Sequence, residues 1–269
     1  MKHVDSPKVF LIAKTMLHET GLKDYLASVG IEESDWFADP RVSDAENLIE
    51  AGGRMCYRSW APWDPSKPEG TNPNVTKVRE GNPKYIANVV KSEHGALLEH
   101  ANVTMIFKDV SRVFTHELVR HRAGWGYSQE SLRYVRLDGD IRFWIPDLAR
   151  EYPGVPEVME ETVDFLSGQQ AKLHKLCKID EIKNFSLKKL LTSMFRRIAP
   201  IGLATSIMAT GNLRAWRHVI RMRTETVAEE EIRVCFRQAA RILKELYPNI
   251  FYDMAENEAG EWVLEHRKI

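Results

Sequence analysis

The chain has 269 residues, and 43% of them are hydrophobic, which is enough apolar sequence to form a full-sized folded core. Lys and Arg together number 38 and Asp and Glu also number 38, so no broad positive field is available for a nucleic-acid polymer or an anionic membrane. Three widely spaced cysteines without a CxxC pair fit neither a disulfide framework nor a structural zinc site. The longest weakly polar stretch, residues 198–210, is shorter than the roughly 20 residues that span a bilayer, and we expect a cytoplasmic protein.

The apolar pattern predicts the secondary structure in chain order. A strand is expected over residues 8–13, followed by helices near 16–29 and 45–54. Residues 60–82 are rich in proline, glycine and asparagine, a composition typical of a long irregular loop. Beyond this loop we expect a helix over 83–92, a strand over 101–107, a helix over 110–122, an extended segment over 132–145, and helices over 158–176, 187–197, 213–223 and 229–246.

The few strands and long helices do not alternate as βαβ units, which predicts an α+β fold in a single domain over residues 1–269. We expect the helices to pack on a small, mostly antiparallel sheet. The sequence contains neither GxGxxG after a strand nor GxxxxGK followed by Ser or Thr, so neither a Rossmann site nor a P-loop is indicated.

Two common kinds of catalytic centre find little support in the sequence. His116, Glu117 and His121 form HExxxH rather than HExxH, and the additional residue rotates the second histidine by about 140° from the first, which disfavours a catalytic zinc. Ser128 and Ser131 lack a GxSxG elbow, and no cysteine has a histidine beside it in sequence, so an activated nucleophile is not indicated.

Charged residues interrupt the apolar side of the helix predicted over 110–122. Glu117 and His121 fall within its apolar stripe at i,i+4 spacing, so they can pair with each other while both face the interior. Arg120, His121 and Arg122 are consecutive and must point in three directions. At least one of them therefore enters the protein or meets another chain.

The helix predicted over 213–223 presents a second conflict between charge and pattern. Arg223 falls on its apolar side, and a buried arginine needs an anion or a set of acceptors, either an internal partner such as Glu225 or one of residues 229–231, or a ligand. The opposite side carries Arg214, Arg217, His218 and Arg221, and a solvated face is the simplest interpretation of the three arginines.

Arginine and histidine are concentrated in residues 112–136 and 196–223 of this net-neutral chain, a distribution suited to small polyanions such as phosphates and carboxylates. Ser131 and Arg133 follow a glycine-containing turn and offer a hydroxyl and a guanidinium, groups of the kind that hold a monophosphate.

Residues 120–134, RHRAGWGYSQESLRY, resemble the signature of the flavin-dependent thymidylate synthases, which have RHR, a short spacer, a serine and then RY. Five further stretches match blocks of that family in order, and they are residues 54–57, 94–100, 196–200, 212–214, and 223 with 228–232. Together the matches extend over most of residues 45–250.

The resemblance implies a methyltransferase that converts dUMP to dTMP by reductive methylation, with FAD, NADPH and 5,10-methylenetetrahydrofolate. It also implies a homotetramer whose active sites are shared between subunits, which would explain arginines that point outwards. In this family reduced flavin provides the electrons and no cysteine attacks the pyrimidine, in agreement with the lack of an activated nucleophile.

The motif match also implies roles for individual residues. Ser131, Arg133 and Arg196 would hold the nucleotide phosphate, and Arg223 would contact the uracil as the catalytic residue. Glu117 and Gln129 would complete the nucleotide site. The residues implied in FAD binding are His94, Arg120, His121, Arg122, Gln129, Asn212, Arg214 and His218.

The chain departs from the family at several of these positions. The spacer between RHR and serine has eight residues instead of the usual seven, and His218 replaces a common asparagine. Glu117 stands where many members have glutamine, and a carboxylate near a phosphate is repulsive unless it turns to His121 or to a sugar hydroxyl. Two alternatives therefore remain: methylation at C5 of another pyrimidine nucleotide such as UMP, with Glu117 accepting from the 2′-hydroxyl, and a catalytically silent flavin- or nucleotide-binding protein.

Overall fold

The computed structural model describes residues 2–135 and 141–269. The helices are α1 (Glu19–Ser28), α2 (Asp44–Tyr57), α3 (Asn82–Lys91), α4 (Arg112–Leu118), α5 (Asp147–Arg150), α6 (Val155–Leu176), α7 (Phe185–Phe195), α8 (Leu213–Arg223) and α9 (Glu230–Leu246). Short 3-10 helices span Gly95–His100, Ile179–Glu181 and Arg196–Ile198. The strands are β1 (Lys2–His3), β2 (Lys8–Lys14), β3 (Asn102–Ser111), β4 (Trp125–Gln129), β5 (Arg142–Phe143), β6 (Ala204–Asn212), β7 (Met254–Glu256) and β8 (Trp262–Leu264).

The main sheet has four antiparallel strands in the order β2-β3-β6-β4. Its inner face packs against α8 and α9, and the centre of this contact is a group of fully buried aromatic rings with centroids 5.1–6.5 Å apart. The rings belong to Phe107, Phe114, Trp216 and Phe236. Burial of four large aromatic side chains makes this contact the main apolar core of the chain.

The outer face of the same sheet carries an apolar row that crosses its strands. Phe10 of β2 is opposite Ile106 of β3, and Ile106 is opposite Met208 of β6. Phe10 is 45% exposed and Met208 is 36% exposed, so this chain by itself leaves the row partly in solvent.

Two connections from the sheet place α4 and α8 side by side. β3 runs into α4 at the end where Ser111 pairs with Ala204, and β6 runs into α8 at the other end, where Asn212 pairs with Asn102. The 11 residues of α8 extend for about 16 Å back along the sheet. The last residue of α8, Arg223, therefore meets α4.

Side-chain caps determine where these two helices begin. The Ser111 hydroxyl accepts a hydrogen bond from the Phe114 N–H at the start of α4, and the Asn212 side chain accepts one from the Ala215 N–H at the start of α8. Such caps satisfy backbone donors that have no partner inside the helix.

Most predicted helices are confirmed, and α8 has the predicted bounds. The predicted strand over 8–13 lies within β2, and residues 60–81 form no helix or strand. The mixture of helices with a small antiparallel sheet confirms the α+β class.

Two predictions about local structure were wrong, and two strands were missed. The helix expected over 110–122 covers only Arg112–Leu118, because residues 110 and 111 still pair with β6. Strands β4 and β6 were not predicted. Of the extended segment over 132–145, residues 132–135 form turns, only Arg142–Phe143 is a strand, and 136–140 lie outside the described residues. In the described part of the chain, no helix is both long and apolar enough to cross a membrane.

Candidate active site

Arg223 joins Glu117 and His121 where the end of α8 meets α4. Its Nη1 donates to Glu117 Oε2 at 2.8 Å and its Nε donates to His121 Nε2 at 3.0 Å. Because Nε–H is the donor, His121 Nε2 must be unprotonated. Burial, followed by the positive charge of Arg223, lowers the pKa of His121 to about 4, so the ring is neutral near pH 7.

The internal partner of Arg223 is therefore Glu117, and the partners expected from the sequence were wrong. Glu225 lies 3.9 Å from Arg221 instead, and Glu231 is bound to Ser111. The Arg223 side chain is 20% exposed, and its Nη2 makes no hydrogen bond with the residues that the structure describes. One terminal nitrogen of an otherwise immobilised guanidinium is thus available to a ligand.

Arg217 corrects the expectation of a solvated face on α8. Its guanidinium is fully buried and forms two hydrogen bonds to Asp253, at 2.8 and 2.9 Å, with a third to the Ile250 carbonyl at 2.6 Å. Arg217 is consequently a structural residue. His218 is on the exposed side of α8. Partial loss of solvent around its ring, followed by the positive charges of Arg221 and Arg214, lowers its pKa.

Three of the residues predicted to bind FAD lie together at the start of α8. Arg214 Nη1 donates to Glu99 Oε1 at 2.5 Å, so its side chain lies across the 3-10 helix Gly95–His100, and His94 directly precedes that helix. A Cβ on Gly95 would lie only 2.8 Å from Arg214 Nε, so this contact requires a glycine. The Asn212 N–H donates to the Gly124 carbonyl at 3.1 Å, which brings the turn after the RHR segment to the same place.

Arg120 and Arg122 flank His121 in this turn, and both are exposed. Neither guanidinium has a hydrogen bond or an ion pair with the described residues. The start of α8 and the turn at 120–124 thus form one surface of cations and side-chain amides, a donor set that suits a phosphate-bearing ligand.

A cavity of about 400 Å³ lies at the other end of α4, close to its first residue, Arg112. Its wall contains three arginines and none of the described carboxylates, and the lining residues are Arg112, Leu132, Ser193, Arg196, Arg197, Ala199, Pro200 and Ile201. Burial and the nearby charge of Arg196 lower the pKa of Arg112. Arg112 Nη2 donates to the Glu130 carbonyl at 3.0 Å, whereas its buried Nε has no partner among the described residues. A half-buried arginine whose buried Nε–H has no acceptor, in a wall with two further arginines, indicates a site for an anion.

Arg112 is the site residue that the sequence analysis did not single out. No signal for it was present in the sequence, because the helix was predicted from residue 110, whereas the structure makes Arg112 the first residue of α4, where a cation is unfavourable beside the positive end of the helix dipole. An arginine at such a position requires an acceptor elsewhere. The predicted phosphate residue Arg196 shares its cavity.

Three other residues assigned to the nucleotide site, Gln129, Ser131 and Arg133, are close in sequence to Leu132, which lines this cavity. Gln129 Nε2 donates to Thr115 Oγ1 at 3.1 Å, which places Gln129 against α4 between its two ends. Ser131 Oγ accepts from the Arg133 N–H at 3.3 Å, and Arg133 is exposed. Leu132 lines the cavity, but its neighbours Ser131 and Arg133 are not among the described lining residues.

A larger cavity, of about 910 Å³, is found around α1 and the start of α2. Its described lining has four carboxylates, Glu19, Glu32, Glu33 and Asp44, against one cation, Lys23, so its net charge disfavours an anionic ligand. Over residues 2–135 and 141–269, no three His, Cys, Asp or Glu side chains are grouped so that they could hold a metal ion.

Comparison with known proteins identifies the family. A family model described as thymidylate synthase complementing protein matches residues 41–249. The flavin-dependent thymidylate synthase of Corynebacterium diphtheriae is 36% identical over 224 residues, or 81% of this chain and 82% of that protein. That of Mycobacteroides abscessus is 35% identical over 251 residues, or 91% and 89%.

Two solved structures have the same fold. Both are of a UMP/dUMP methylase, PolB from Streptomyces cacaoi, one bound with 5-Br dUMP and the other with 5-Br UMP. Their TM-scores are 0.57 and 0.59, at 17% and 15% identity, and each comparison covers 94% of this chain and at least 95% of the other. The family match over residues 41–249 and the two relatives show that this chain belongs to the family of flavin-dependent thymidylate synthases, which are methyltransferases.

Proposed function

We propose that this chain converts dUMP to dTMP, with 5,10-methylenetetrahydrofolate as carbon donor and NADPH-reduced FAD as reductant. The observation that carries the proposal is the position of two cationic centres at the two ends of α4: the Arg112–Arg196 cavity at the start, and Arg223 beside Glu117 near the end. Residues 112 and 117 are separated by about 7.5 Å along the helix axis, and Arg196 and Arg223 reach the two ends of α4 from other elements of the fold.

The phosphate of the nucleotide would bind between Arg112 and Arg196, where the buried Nε of Arg112 lacks a partner. Ser131 and Arg133 are the sequence neighbours of Leu132 in the cavity wall, and the turn that contains them would close the phosphate site. A dianionic phosphate would neutralise the buried positive charge, and charge-assisted hydrogen bonds would fix its position.

The uracil would bind at Arg223, whose free Nη2 can donate to a carbonyl oxygen of the base. Glu117 and neutral His121 hold the other two nitrogens of this guanidinium, so its donor is oriented before the substrate arrives. A positive charge held in place stabilises negative charge that develops on the pyrimidine during reaction. Positioning and electrostatics are therefore the contribution of these three residues.

The FAD site would be the surface at the start of α8. Its cations and amides fit a pyrophosphate, and the close contacts of Gly95 with Arg214 and of Gly124 with Asn212 fix the position of these donors. The residues we assign to it are His94, Arg120, His121, Arg122, Gln129, Asn212, Arg214 and His218. Bound FAD would supply the electrons that reduce the transferred carbon.

Glu117 bears on the choice between dUMP and UMP. Its carboxylate pairs with Arg223 and lies away from the Arg112–Arg196 cavity, which removes the expected repulsion with the phosphate. We favour dUMP because the relatives named thymidylate synthase are 33–36% identical to this chain, whereas the UMP/dUMP methylase structures are 15–17% identical. UMP remains the alternative, with Glu117 as acceptor for a 2′-hydroxyl.

We further propose that the chain, a single domain, assembles into a homotetramer. The partly exposed row Phe10, Ile106 and Met208 on the outer face of the sheet supports an interface with another copy. Light scattering coupled to size exclusion should give four times the mass of the chain, and Met208→Asp should lower that mass. A monomer at micromolar concentration would contradict this part of the proposal.

The activity itself is tested with purified, FAD-loaded protein, NADPH and methylenetetrahydrofolate, supplied with dUMP, UMP or an equimolar mixture. We expect dTMP from dUMP and preference for dUMP in the mixture, whereas product from UMP alone would support the alternative. Arg112→Ala should raise the KM for dUMP by about 10- to 100-fold, since it removes a charged hydrogen-bond donor. Retention of flavin in that variant would separate loss of nucleotide binding from loss of fold.

A further inference from the structure

Glu231 is a buried carboxylate to which the proposed reaction assigns no role. It lies in the first turn of α9, is 2% exposed, and belongs to the acidic run at 229–231 that the sequence analysis considered for Arg223. Its two oxygens instead bind a single residue of another element: Oε1 accepts from the Ser111 N–H at 2.7 Å, and Oε2 accepts from the Ser111 hydroxyl.

Ser111 connects this carboxylate to the nucleotide site. It is the cap of α4, its hydroxyl oxygen accepts from the Phe114 N–H at 3.1 Å, and the next residue is Arg112. On the other side, the Arg112 N–H donates to the carbonyl of Ile201, a residue of the cavity wall, at 2.9 Å. The backbone that carries Arg112 is therefore held from α9 on one side and from the cavity wall on the other.

The interior around Glu231 gives its charge little compensation besides these bonds. Burial raises the pKa of Glu231 to about 7, although the hydrogen bonds from Ser111 act in the opposite direction, and neighbouring Glu229 adds repulsion. A buried carboxylate in such surroundings is a costly way to hold a helix end. Its retention is understandable if the position of that helix end matters for a ligand.

We propose that Glu231 is a positioning residue for the substrate phosphate: by holding Ser111 it sets the start of α4 and thereby aims Arg112 at the cavity that it shares with Arg196. This inference rests on the proposed function, because it takes that cavity as the phosphate site. Glu231 acts through Ser111 and Arg112 and contacts neither substrate nor flavin.

The chain contains a matched control in Glu46. This carboxylate is also buried, at 1% exposure, and it binds the N–H and the hydroxyl of Ser43, the cap of α2, at 3.0 and 2.8 Å. A buried carboxylate thus binds the serine cap here too, although Glu46 does so from within the capped helix and through Oε2 alone, while its Oε1 accepts from the Asn249 N–H. Helix α2 carries none of the predicted nucleotide residues. Glu46→Gln and Glu231→Gln should both lower stability, but only Glu231→Gln should weaken nucleotide binding.

The experiment measures the Kd of dUMP, the Kd of FAD and kcat at saturating dUMP for wild type, Glu231→Gln, Glu46→Gln, Ser111→Ala and Ser111→Thr. We expect Glu231→Gln to raise the Kd and KM for dUMP about tenfold while kcat and the Kd of FAD stay within about twofold. Ser111→Ala should behave in the same way and Ser111→Thr, which keeps the hydroxyl, should restore most of the affinity. The double variant Ser111→Ala/Glu231→Gln should be no weaker than the single variants, since the residues act as one unit.

Unchanged dUMP affinity in both Glu231→Gln and Ser111→Ala would overturn the inference, and so would an equal loss in Glu46→Gln. A parallel fall in kcat, flavin affinity and dUMP affinity would indicate a general structural role and would also overturn it. If Glu231→Gln does not fold, Ser111→Ala decides alone. A wild-type protein that binds neither dUMP nor UMP would contradict the proposed function. Equal binding of dUMP by the wild type and the variants would contradict only the inference about Glu231.

Discussion

His121 lies beside the positively charged Arg223, and its imidazole ring is neutral near pH 7. Its Nε2 accepts the Nε–H of Arg223, and burial with that positive charge lowers its pKa to about 4. A protonated ring would lose the bond and repel the guanidinium. The neutral ring thus accepts from Arg223 and helps to orient its guanidinium.

The titration of His121 can be predicted with its sign. Between pH 6.5 and pH 4 the unfolded chain binds a proton at this residue and the folded chain does not, so the stability contributed by the neutral ring is complete above pH 6.5 and is lost as the pH falls towards 4. Proton NMR should show an imidazole resonance, absent from His121→Gln, with a midpoint well below 6.5. A midpoint at or above 6.5 would mean that the ring pairs with Glu117 instead.

Arg223→Ala should lower kcat by at least about 100-fold, because it removes the oriented donor at the proposed uracil site. Stability should change by about 1 kcal/mol or less, since the Arg223 and Glu117 side chains are 20% and 32% exposed and water can solvate the carboxylate that remains. Turnover and thermal melts are the measurements, with flavin content measured alongside. Arg221→Ala, on the same helix, is the control expected to keep turnover, and unfolding of Arg223→Ala would show that Arg223 is mainly structural.

At the scale of elements, the turn at Gly124 connects the RHR segment to the start of α8. Gly124 has a φ of +76°, and a Cβ there would lie 2.5 Å from Asn212 Nδ2. Gly124→Ala should therefore lower stability by about 1–2 kcal/mol and weaken FAD binding, because both backbone strain and displacement of Asn212 act on the proposed flavin site. Thermal melts and flavin titration test this.

Gly168→Ala in α6 is the matched control, since a Cβ there meets no atom within 4 Å and alanine favours a helix. It should leave FAD binding unchanged and stability equal or slightly higher. If Gly124→Ala binds FAD as tightly as wild type, this turn is not part of the flavin site.

The elements that the sequence did and did not predict differ in how they are buried. Helix α8 was predictable because Leu213, Trp216, Val219 and Ile220 form an apolar side at helical spacing. Strand β6 lies between β3 and β4; its Gly211 leaves room for the rings of Trp125 and Trp216, and its Ala209 is also small and fully buried. Small residues on a central strand give no alternation of large apolar side chains, so the pattern is absent although the strand is buried.

The residues of the site also differ in whether the sequence alone could predict their roles. Arg223 was recognisable because it breaks an apolar pattern, whereas the fully buried Arg217 was assigned to solvent because its partner, Asp253, lies 36 positions away in sequence. Helical periodicity carries no information about such a distant partner. The role of Arg112 depends likewise on Arg196, which only the tertiary fold brings into the same cavity.

At the scale of the whole molecule, a fully buried ion pair, Asp253 with Arg217, ties the C-terminal segment to the centre of the fold. Asp253 binds Arg217 of α8 and also accepts the His266 N–H at 3.1 Å, while Ile269 is buried in the main core. The Trp262 N–H donates to Thr224 directly after α8. The end of the chain therefore supports the helix that presents Arg223.

Asp253→Ala should lower the free energy of unfolding by about 3–5 kcal/mol, because it leaves the charge of Arg217 buried without a counter-ion. The matched control is Glu256→Gln, which removes the partner of Arg241 from a pair with side-chain exposures of 58% and 28% and should cost less than about 1 kcal/mol. Chemical denaturation of both variants measures the difference. Asp253 does not line the cavity at Arg112, and its side chain binds Arg217 and the His266 N–H, so Asp253→Ala should lower stability while the KM for dUMP of the folded fraction stays near that of wild type. Equal costs for the two variants would mean that Arg217 finds other acceptors, and that the C-terminal segment is held by its apolar contacts alone.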